Sequence, residues 1–385
     1  MPVKEHGTRP KAVAREIVQH SGGELKPGTT AALWIRSART DDTLLEPALP
    51  NNRMIRAPKS LGDLPTGLGR LSNRLRASLR CPACLSGLRD LSPGLACENE
   101  ACAAVYPVVD GVPVLIDENT SVFSKDDFVT RKATFFPRHS SIRTTISGLL
   151  PQLSINISSR RNYRTFLHSV TSTSNRPTVL VVGGAILGKG IESIIQDGLV
   201  EFVETDVSLG PRTKIVCDGT SLPFADDSFE GVIVQAVLEH VVDPYKCVTE
   251  IHRVLRRGGL VYAETPFMQQ VHGGPYDFTR FTHSGHRRLF RQFENLSSGA
   301  CCGPATALAW SLQYFMLSFF ASRPARFVVK GASRLLLFWL KYLDLYLAGK
   351  PQALDAASGL YFLGRKSDTV LGDRELVGLF QGGGL

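Results

Sequence analysis

No continuous apolar stretch opens the chain, so a secretory signal is not expected. Apolar clusters are also scarce through the first 80 residues, which hold 14 Lys and Arg against 7 Asp and Glu. Most of the net charge of +9 therefore sits in the first fifth of the chain. That segment is rich in Gly, Pro, Ser and Arg. It cannot bury enough apolar surface to offset chain entropy, and residues 1–77 are expected to form a largely disordered basic tail. Such a tail attracts nucleic acid or anionic membrane, or is simply solvated, which is the commoner case. Cysteine is sparse, with 8 in 385 residues. Four of these, Cys217, Cys247, Cys301 and Cys302, lack ligand spacing and suit small core positions.

The other four are paired. Cys81-Pro82-Ala83-Cys84 and Cys97-Glu98-Asn99-Glu100-Ala101-Cys102 present four thiols on two turns separated by twelve residues. Four thiolates so placed suit tetrahedral zinc, which would supply folding energy that some forty residues cannot draw from a core. A disulfide reading fits the expected reducing cytoplasm poorly. The second pair has four intervening residues, which implies a wider loop. Next comes Tyr106-Pro107-Val108-Val109-Asp110-Gly111-Val112-Pro113, where Asp110-Gly111 is a tight-turn dipeptide between apolar strands. This stretch resembles the zinc-ribbon family that includes the activator subunit of tRNA methyltransferases. A ribbon is expected over 78–119, with a structural zinc on Cys81, Cys84, Cys97 and Cys102.

From residue 178 onward strand and helix signals alternate, which predicts a mostly parallel sheet with its ligand at the carboxyl ends of the strands. The apolar run Val179-Leu180-Val181-Val182 breaks into the glycine-rich stretch 183–190, where backbone can approach a ligand closely. A second strand ends at Asp206, whose carboxylate suits ribose hydroxyls, and a third ends at Cys217-Asp218-Gly219. A fourth covers 231–234. A helix over 244–255 stops at Arg256-Arg257-Gly258-Gly259, and a fifth strand follows at 260–263. The ordered signals Leu222-Pro223-Phe224, Asp227-Ser228-Phe229-Glu230, Val237-Leu238-Glu239-His240 and Glu250-Ile251-His252-Arg253-Val254-Leu255 resemble the class I S-adenosylmethionine-dependent methyltransferases, in the type 11-like branch. Two departures stand out. Val181 occupies the position where that family usually has an acidic residue, and Ala185 stands where a glycine is common in a loop that looks one residue longer.

The resemblance implies a Rossmann-like α/β fold with a seven-stranded sheet over 177–366 and S-adenosylmethionine as cofactor. It implies cofactor contacts from Gly183, Gly184, Ala185, Gly188, Asp206, Asp218, Gly219 and Gln235. After the fifth strand lies a polar and aromatic loop containing His272, Asp277 and Arg280. His240 and His272 are candidate bases; Asp277 would orient an imidazole, and Arg280 would pair with an anionic acceptor group. The alternative is a structural Asp277–Arg280 ion pair with histidines that only bond locally. Residues 303–322 carry no charge, and 327–347 form a second apolar stretch. Because these fall before the last strand, near 359–365, a helical insertion over 303–350 is expected in place of a true span. It would cap the acceptor site and touch membrane or a lipid-like substrate, or be purely structural. Residues 120–176 are expected as a partly helical linker and 367–385 as a flexible tail.

The combined expectation is a cytoplasmic enzyme, membrane-associated if the insertion touches lipid. It would methylate a small-molecule, glycan or lipid-linked acceptor. An RNA methyltransferase and a non-catalytic scaffold are the alternatives.

Overall fold

The computed structural model describes residues 71–132, 134, 149–186, 188–195 and 198–383. The chain divides into two units, 1–61 and 62–385. The first lies outside the described residues, and with it most of the expected basic tail. Order begins earlier than expected. Helix α1 (Asn73–Ser78) is held by Leu71, Leu75 and Leu79, all buried in the main core.

The ribbon contributes β1 (Leu88–Leu91), β2 (Gly94–Cys97), β3 (Val105–Val109) and β4 (Val112–Leu115). Asp110 and Gly111 both adopt positive φ, 52° and 77°, the conformation a two-residue hairpin turn requires. Helix α2 (Lys125–Val129) and helix α3 (Ser159–Thr173) lie in the linker segment. The main sheet then takes β5 (Thr178–Val182), β6 (Glu201–Asp206), β7 (Ile215–Cys217), β8 (Phe229–Gln235), β9 (Leu255–Pro266), β10 (Phe293–Cys302) and β11 (Gly359–Lys366).

The sheet has eleven strands, not seven, in the order β1-β2-β3-β4-β7-β6-β5-β8-β9-β11-β10. The last seven in that order make up the seven-stranded sheet that the resemblance implied. The other four join because β4 pairs in parallel with β7, with Val114 opposite Val216 and Leu115 opposite Cys217. The open edge of β7 is thus filled by the ribbon. β5, β6, β7, β8 and β9 run parallel, whereas β11 is antiparallel to both β9 and β10.

Side chains alternate across each strand, so a sheet covered on both faces needs two cores. Leu180 and Val182 of β5 face one core with Val232, Val234 and Val261. Helix α4 (Glu192–Ile195) is the short element after the glycine loop, and helix α5 (Pro244–Val254) covers this first core with Cys247, Val248, Ile251 and Val254. Asp243 caps α5 by accepting from Lys246 N at 3.0 Å, and Pro244 opens its first turn. Val179 and Val181 face the second core with Ile233 and Tyr262, beneath Tyr163, Phe166 and Val170 of α3. The Arg256–Gly259 segment, read as a helix stop, is the start of a longer β9.

After helix α6 (His283–Leu289) and β10 comes the insertion: α7 (Pro304–Ser318), α8 (Arg323–Leu337) and α9 (Asp344–Leu347). Asp344 is fully buried, and its carboxylate accepts from Ala305 N and Thr306 N at 2.9 Å each. It satisfies the orphan donors at the positive end of α7 and ties the insertion's return to its entry. The expected flexible tail contains helix α10 (Asp373–Gly378), which is tethered where Leu371 N donates to Arg291 O at 3.0 Å.

Candidate functional site

The carboxyl ends of β5, β6 and β7 open onto a cavity of about 350 Å³ lined by Val182, Gly183, Asp206, Asp218, Gly219 and His240, among others. A second cavity of about 270 Å³ continues past Gly183, Gly184 and Gly188 to Gln235, His240 and His272. Val182, Gly183 and His240 belong to both, so the two form one cleft across the point where strand order reverses.

Glycine is required at two places in its floor. Gly183 has φ +76°, and a Cβ there would lie 2.3 Å from Val237. A Cβ on Gly188 would lie 1.7 Å from Gln235 Oε1. The next described helix, α4, is only four residues long. Among the described residues, backbone and carboxylates therefore shape this part of the site.

Asp206 is buried, and its Oδ2 accepts from Ala185 N at 3.0 Å. Burial pushes its carboxyl up to about 6, against hydrogen bonds that favour the ion. Asp218 accepts from Thr220 N and Oγ1 at 2.9 and 2.8 Å, and from Ser121 Oγ at 2.7 Å. Ser121 follows the ribbon, and Thr120, Val122 and Phe123 line the same cavity. Sequence reading missed this wall because no local pattern brings residue 121 to residue 218.

Gln235 lines the cleft, but its amide is spent inside the protein. Its Oε1 accepts from Tyr163 Oη at 2.9 Å, and its Nε2 donates to Glu264 at 2.7 Å and Lys189 O at 3.2 Å. Glu264, also missed, is fully buried between Gln235, Asn156 Nδ2 at 2.8 Å and the Tyr262 hydroxyl. Burial raises its carboxyl above the ordinary range. Replacing Glu264 with Ala would strand three donors, one of them, the Tyr262 hydroxyl, buried and the other two half-buried. The expected cost is about 3 kcal/mol or more in urea unfolding, and a variant within about 0.5 kcal/mol of the parent would contradict this role.

The structure brings His240, His272, Asp277 and Arg280 together. The rings of His240 and His272 lie 4.9 Å apart, nearly perpendicular. Asp277 Oδ2 sits 3.5 Å from His272 Nδ1 and accepts from the His272 and Gly273 backbone at 2.7 and 3.2 Å. Burial alone would raise Asp277, but the Arg280 guanidinium and these N–H donors hold it well below the usual carboxylate range. Arg280 spends its donors on Asp277, Gln269 O, Gln270 O and Thr279 O. Its geometry is that of a clamp on the 269–280 loop, the arrangement in which Asp277 and Arg280 form a structural ion pair. Beside this loop a groove of about 610 Å³ runs to Ser311 and Tyr314 of α7. The Tyr314 hydroxyl donates to Val271 O at 2.9 Å, and Gln270 Nε2 donates to Ser311 Oγ at 3.0 Å.

The four ribbon cysteines converge. Their sulfur atoms lie within 4.8 Å of one another, with Cys81–Cys102 at 3.8 Å and Cys84–Cys97 at 3.4 Å. A tetrahedron of sulfurs about 2.3 Å from zinc has edges of about 3.8 Å, so the set fits the metal. The Tyr106 hydroxyl lies 3.0 Å from Cys81 Sγ, and Asn99 N donates to Cys97 Sγ at 3.4 Å. Partners of this kind fix ligands in place.

A doubly wound sheet with a cleft at its topological switch point is the architecture of a nucleotide-cofactor domain. Residues 195–263, from the end of α4 into β9, match the family described as Methyltransferase domain. The chain is 31% identical over 96 residues to a demethylmenaquinone methyltransferase of Clavibacter sepedonicus, covering 25% of this chain and 38% of that protein. It is 36% identical over 101 residues to an uncharacterized methyltransferase of Mycobacterium sp. (strain KMS), covering 23% and 38%. It thus spans well under half the length of these curated relatives. Among solved structures, phosphoethanolamine N-methyltransferase 2 of Haemonchus contortus shares 15% identity, covering 55% and 54%, at a TM-score of 0.35. The 1,6-didemethyltoxoflavin-N1-methyltransferase of Burkholderia thailandensis shares 14%, covering 69% and 96%, at 0.32.

Proposed function

We propose that the protein transfers a methyl group from S-adenosylmethionine to a lipid-linked or otherwise apolar acceptor presented at a membrane surface. The observation that carries the transfer reading is the cleft in which Gly183, Asp206 and Asp218 converge, within a chain whose residues 195–263 match a methyltransferase domain. Asp206 would accept from the ribose hydroxyls. Asp218 and Gly219 would border the base, and the 183–188 backbone the amino-acid end. The bound cofactor supplies an electrophilic methyl group on a sulfonium. The protein's own task is then to align the acceptor and handle its proton. His240 and His272 stand at the end of the cleft where that acceptor enters, with Asp277 behind His272.

The cofactor assignment has a pH signature. Ribose hydroxyls donate to an ionised Asp206, whose folded value lies at about 6. Affinity should be level above that pH and fall about tenfold per unit below it, as a proton competes for the carboxylate. Asp206→Ala should lose that slope and bind at least about tenfold more weakly at neutral pH, since a charged hydrogen bond contributes about 1.5–3 kcal/mol. Calorimetry across pH 5–8 reads both; a variant with parental affinity would sink the assignment.

The acceptor class is supported by the insertion. No described helix is long and apolar enough to cross a membrane. Yet α7 and α8 meet through polar groups, with buried Gln313 donating to buried Ser333 at 2.7 Å. Five of their large apolar side chains, Phe315, Phe319, Val328, Leu335 and Leu336, are each more than half exposed. That inversion suits helices lying in an apolar medium. Residues 303–350 hold six Lys and Arg and one acid, the buried Asp344, so the occupant proposed is an anionic bilayer. The groove between α7 and the 267–271 loop would lead an acceptor from that surface to His272. A structural zinc on Cys81, Cys84, Cys97 and Cys102 completes the reading.

A further inference from the structure

Glu239 is wholly buried, and neither of its carboxylate oxygens has a hydrogen-bond partner. It lies on the short turn Leu238–His240 after β8. Its backbone carbonyl accepts from Phe278 N at 2.8 Å and Thr279 N at 3.2 Å, which closes the following loop over it. A buried carboxyl with no hydrogen-bond partner is costly, which points to a partner that would satisfy it.

Two imidazoles face it. His240 Nε2 and His272 Nε2 each lie 3.7 Å from Glu239 Oε1. Neither distance is that of a hydrogen bond. Both are close to the separation of neighbouring ligands around a cation bound at about 2.0–2.1 Å, which is about 3.3–3.6 Å. The far side of each ring is anchored to oxygen. His240 Nδ1 lies 2.8 Å from Tyr276 O, and His272 Nδ1 lies 3.3 Å from Gln270 O and 3.5 Å from Asp277 Oδ2. An Nδ1–H held by oxygen fixes the tautomer whose Nε2 lone pair points at the carboxylate, the arrangement found around metal-bound histidine. Gly273 is part of the fit, because a Cβ there would lie 2.4 Å from His240 Cε1.

We propose that Glu239, His240 and His272 bind a divalent first-row transition-metal ion, separate from the ribbon zinc, at the acceptor end of the cleft. The three ligand atoms lie within 4.8 Å of one another. Two imidazole nitrogens and one carboxylate oxygen suit zinc, iron(II) or manganese(II) more than a calcium-sized ion with its all-oxygen shell. Three protein ligands would leave a position open for a ligand from the cleft, which both histidines line. The site stands without the methyl-transfer reading; only the use of its open position rests on that reading. There the ion would take an acceptor hydroxyl and lower its pKa, so that the proton leaves to solvent before the oxygen attacks. As the oxygen–carbon bond forms, the sulfur–carbon bond breaks and its electron pair stays on sulfur. The histidines then act through the ion and not as bases, and the acceptor class narrows to hydroxyl compounds.

Cobalt(II) titration of the metal-stripped full chain, carried past one equivalent so that the cysteines refill and the ribbon refolds first, tests the site. Cobalt on the cysteines gives intense thiolate charge-transfer bands, whereas cobalt on nitrogen and oxygen gives only weak visible bands. The expected result is one equivalent of the second kind besides any thiolate-bound equivalent. Glu239→Gln and His272→Ala should each lose it and leave the thiolate bands unchanged. His272 lies on a surface loop, so its variant reports on the site even if Glu239→Gln fails to fold. Uptake confined to the thiolate equivalent, or variants that keep the second one, would overturn the proposal. S-adenosylmethionine affinity measured on the same samples separates failure of this site from failure of the cofactor assignment.

Discussion

A chelator that strips the zinc proposed on Cys81, Cys84, Cys97 and Cys102 is expected to unfold residues 81–115 and to carry the cofactor cleft with them. Structural zinc in small zinc-folded units contributes about 10–16 kcal/mol of apparent free energy. That matches or exceeds the whole stability of an ordinary domain, about 5–15 kcal/mol. The ribbon is too small to hold without it. Its loss would not stay local, because Cys81, Leu95, Cys97 and Tyr106 share one core with Leu222 and Phe224, which lie between β7 and β8, and with Leu180 and Val203 of the main sheet. β4 would release the edge of β7, and Ser121 would release Asp218. Cys81→Ser should therefore lower the melting temperature by many degrees and weaken S-adenosylmethionine binding, although Cys81 does not line the cofactor cavity. Scanning calorimetry with and without chelator, paired with elemental analysis, reads this directly. A chelated protein shown to be free of zinc that melts where the parent does would refute the structural role.

The second large effect is expected at vesicles. Protein incubated with anionic liposomes should float, and should remain behind with neutral liposomes at high salt, as a contact aided by Lys and Arg is screened. Burying one Phe or Leu side chain contributes about 1.5–3 kcal/mol. Replacing Phe315, Phe319 and Leu336 together with Ser should lower partitioning by a factor on the order of a thousand or more. These side chains are exposed, so the variant should fold as the parent does. Parental flotation of that variant, or no flotation of the parent, would leave α7 and α8 as a structural cap. At 15 residues each, the helices are about 22 Å long, short of the roughly 30 Å hydrocarbon core. They would lie in the interface without spanning it.

How legible the molecule was depended on the range of each interaction. β5, β6, β7, β8, α5 and β9 announce themselves through apolar runs that end at glycine, aspartate or proline, which are local signals. The ribbon cysteines and the Asp110-Gly111 turn were legible for the same reason. The joining of ribbon to sheet was not, because the Val114–Val216 pairing leaves no local trace. Glu239 sat inside a motif read for its histidine, and nothing local said that its side chain turns inward unpartnered. Arg280 looked available because the carbonyls that occupy it, at 269, 270 and 279, carry no side-chain signature. The insertion's apolar content was plain. That polar Gln313 and Ser333 would be inside and phenylalanines outside emerges only from the packing.

The parallel contact between β4 and β7 also sets an order of events during synthesis. Val114 leaves the ribosome about a hundred residues before its partner Val216. At roughly 5–20 residues per second, that is an interval of several seconds or more. With its proposed metal, the ribbon has time to be complete while the rest of the chain is still emerging. It then presents β4 as a ready template against which β7, a strand of only three residues, can add. A nascent sheet edge that would otherwise invite pairing with another chain finds its neighbour already in place on the same polypeptide.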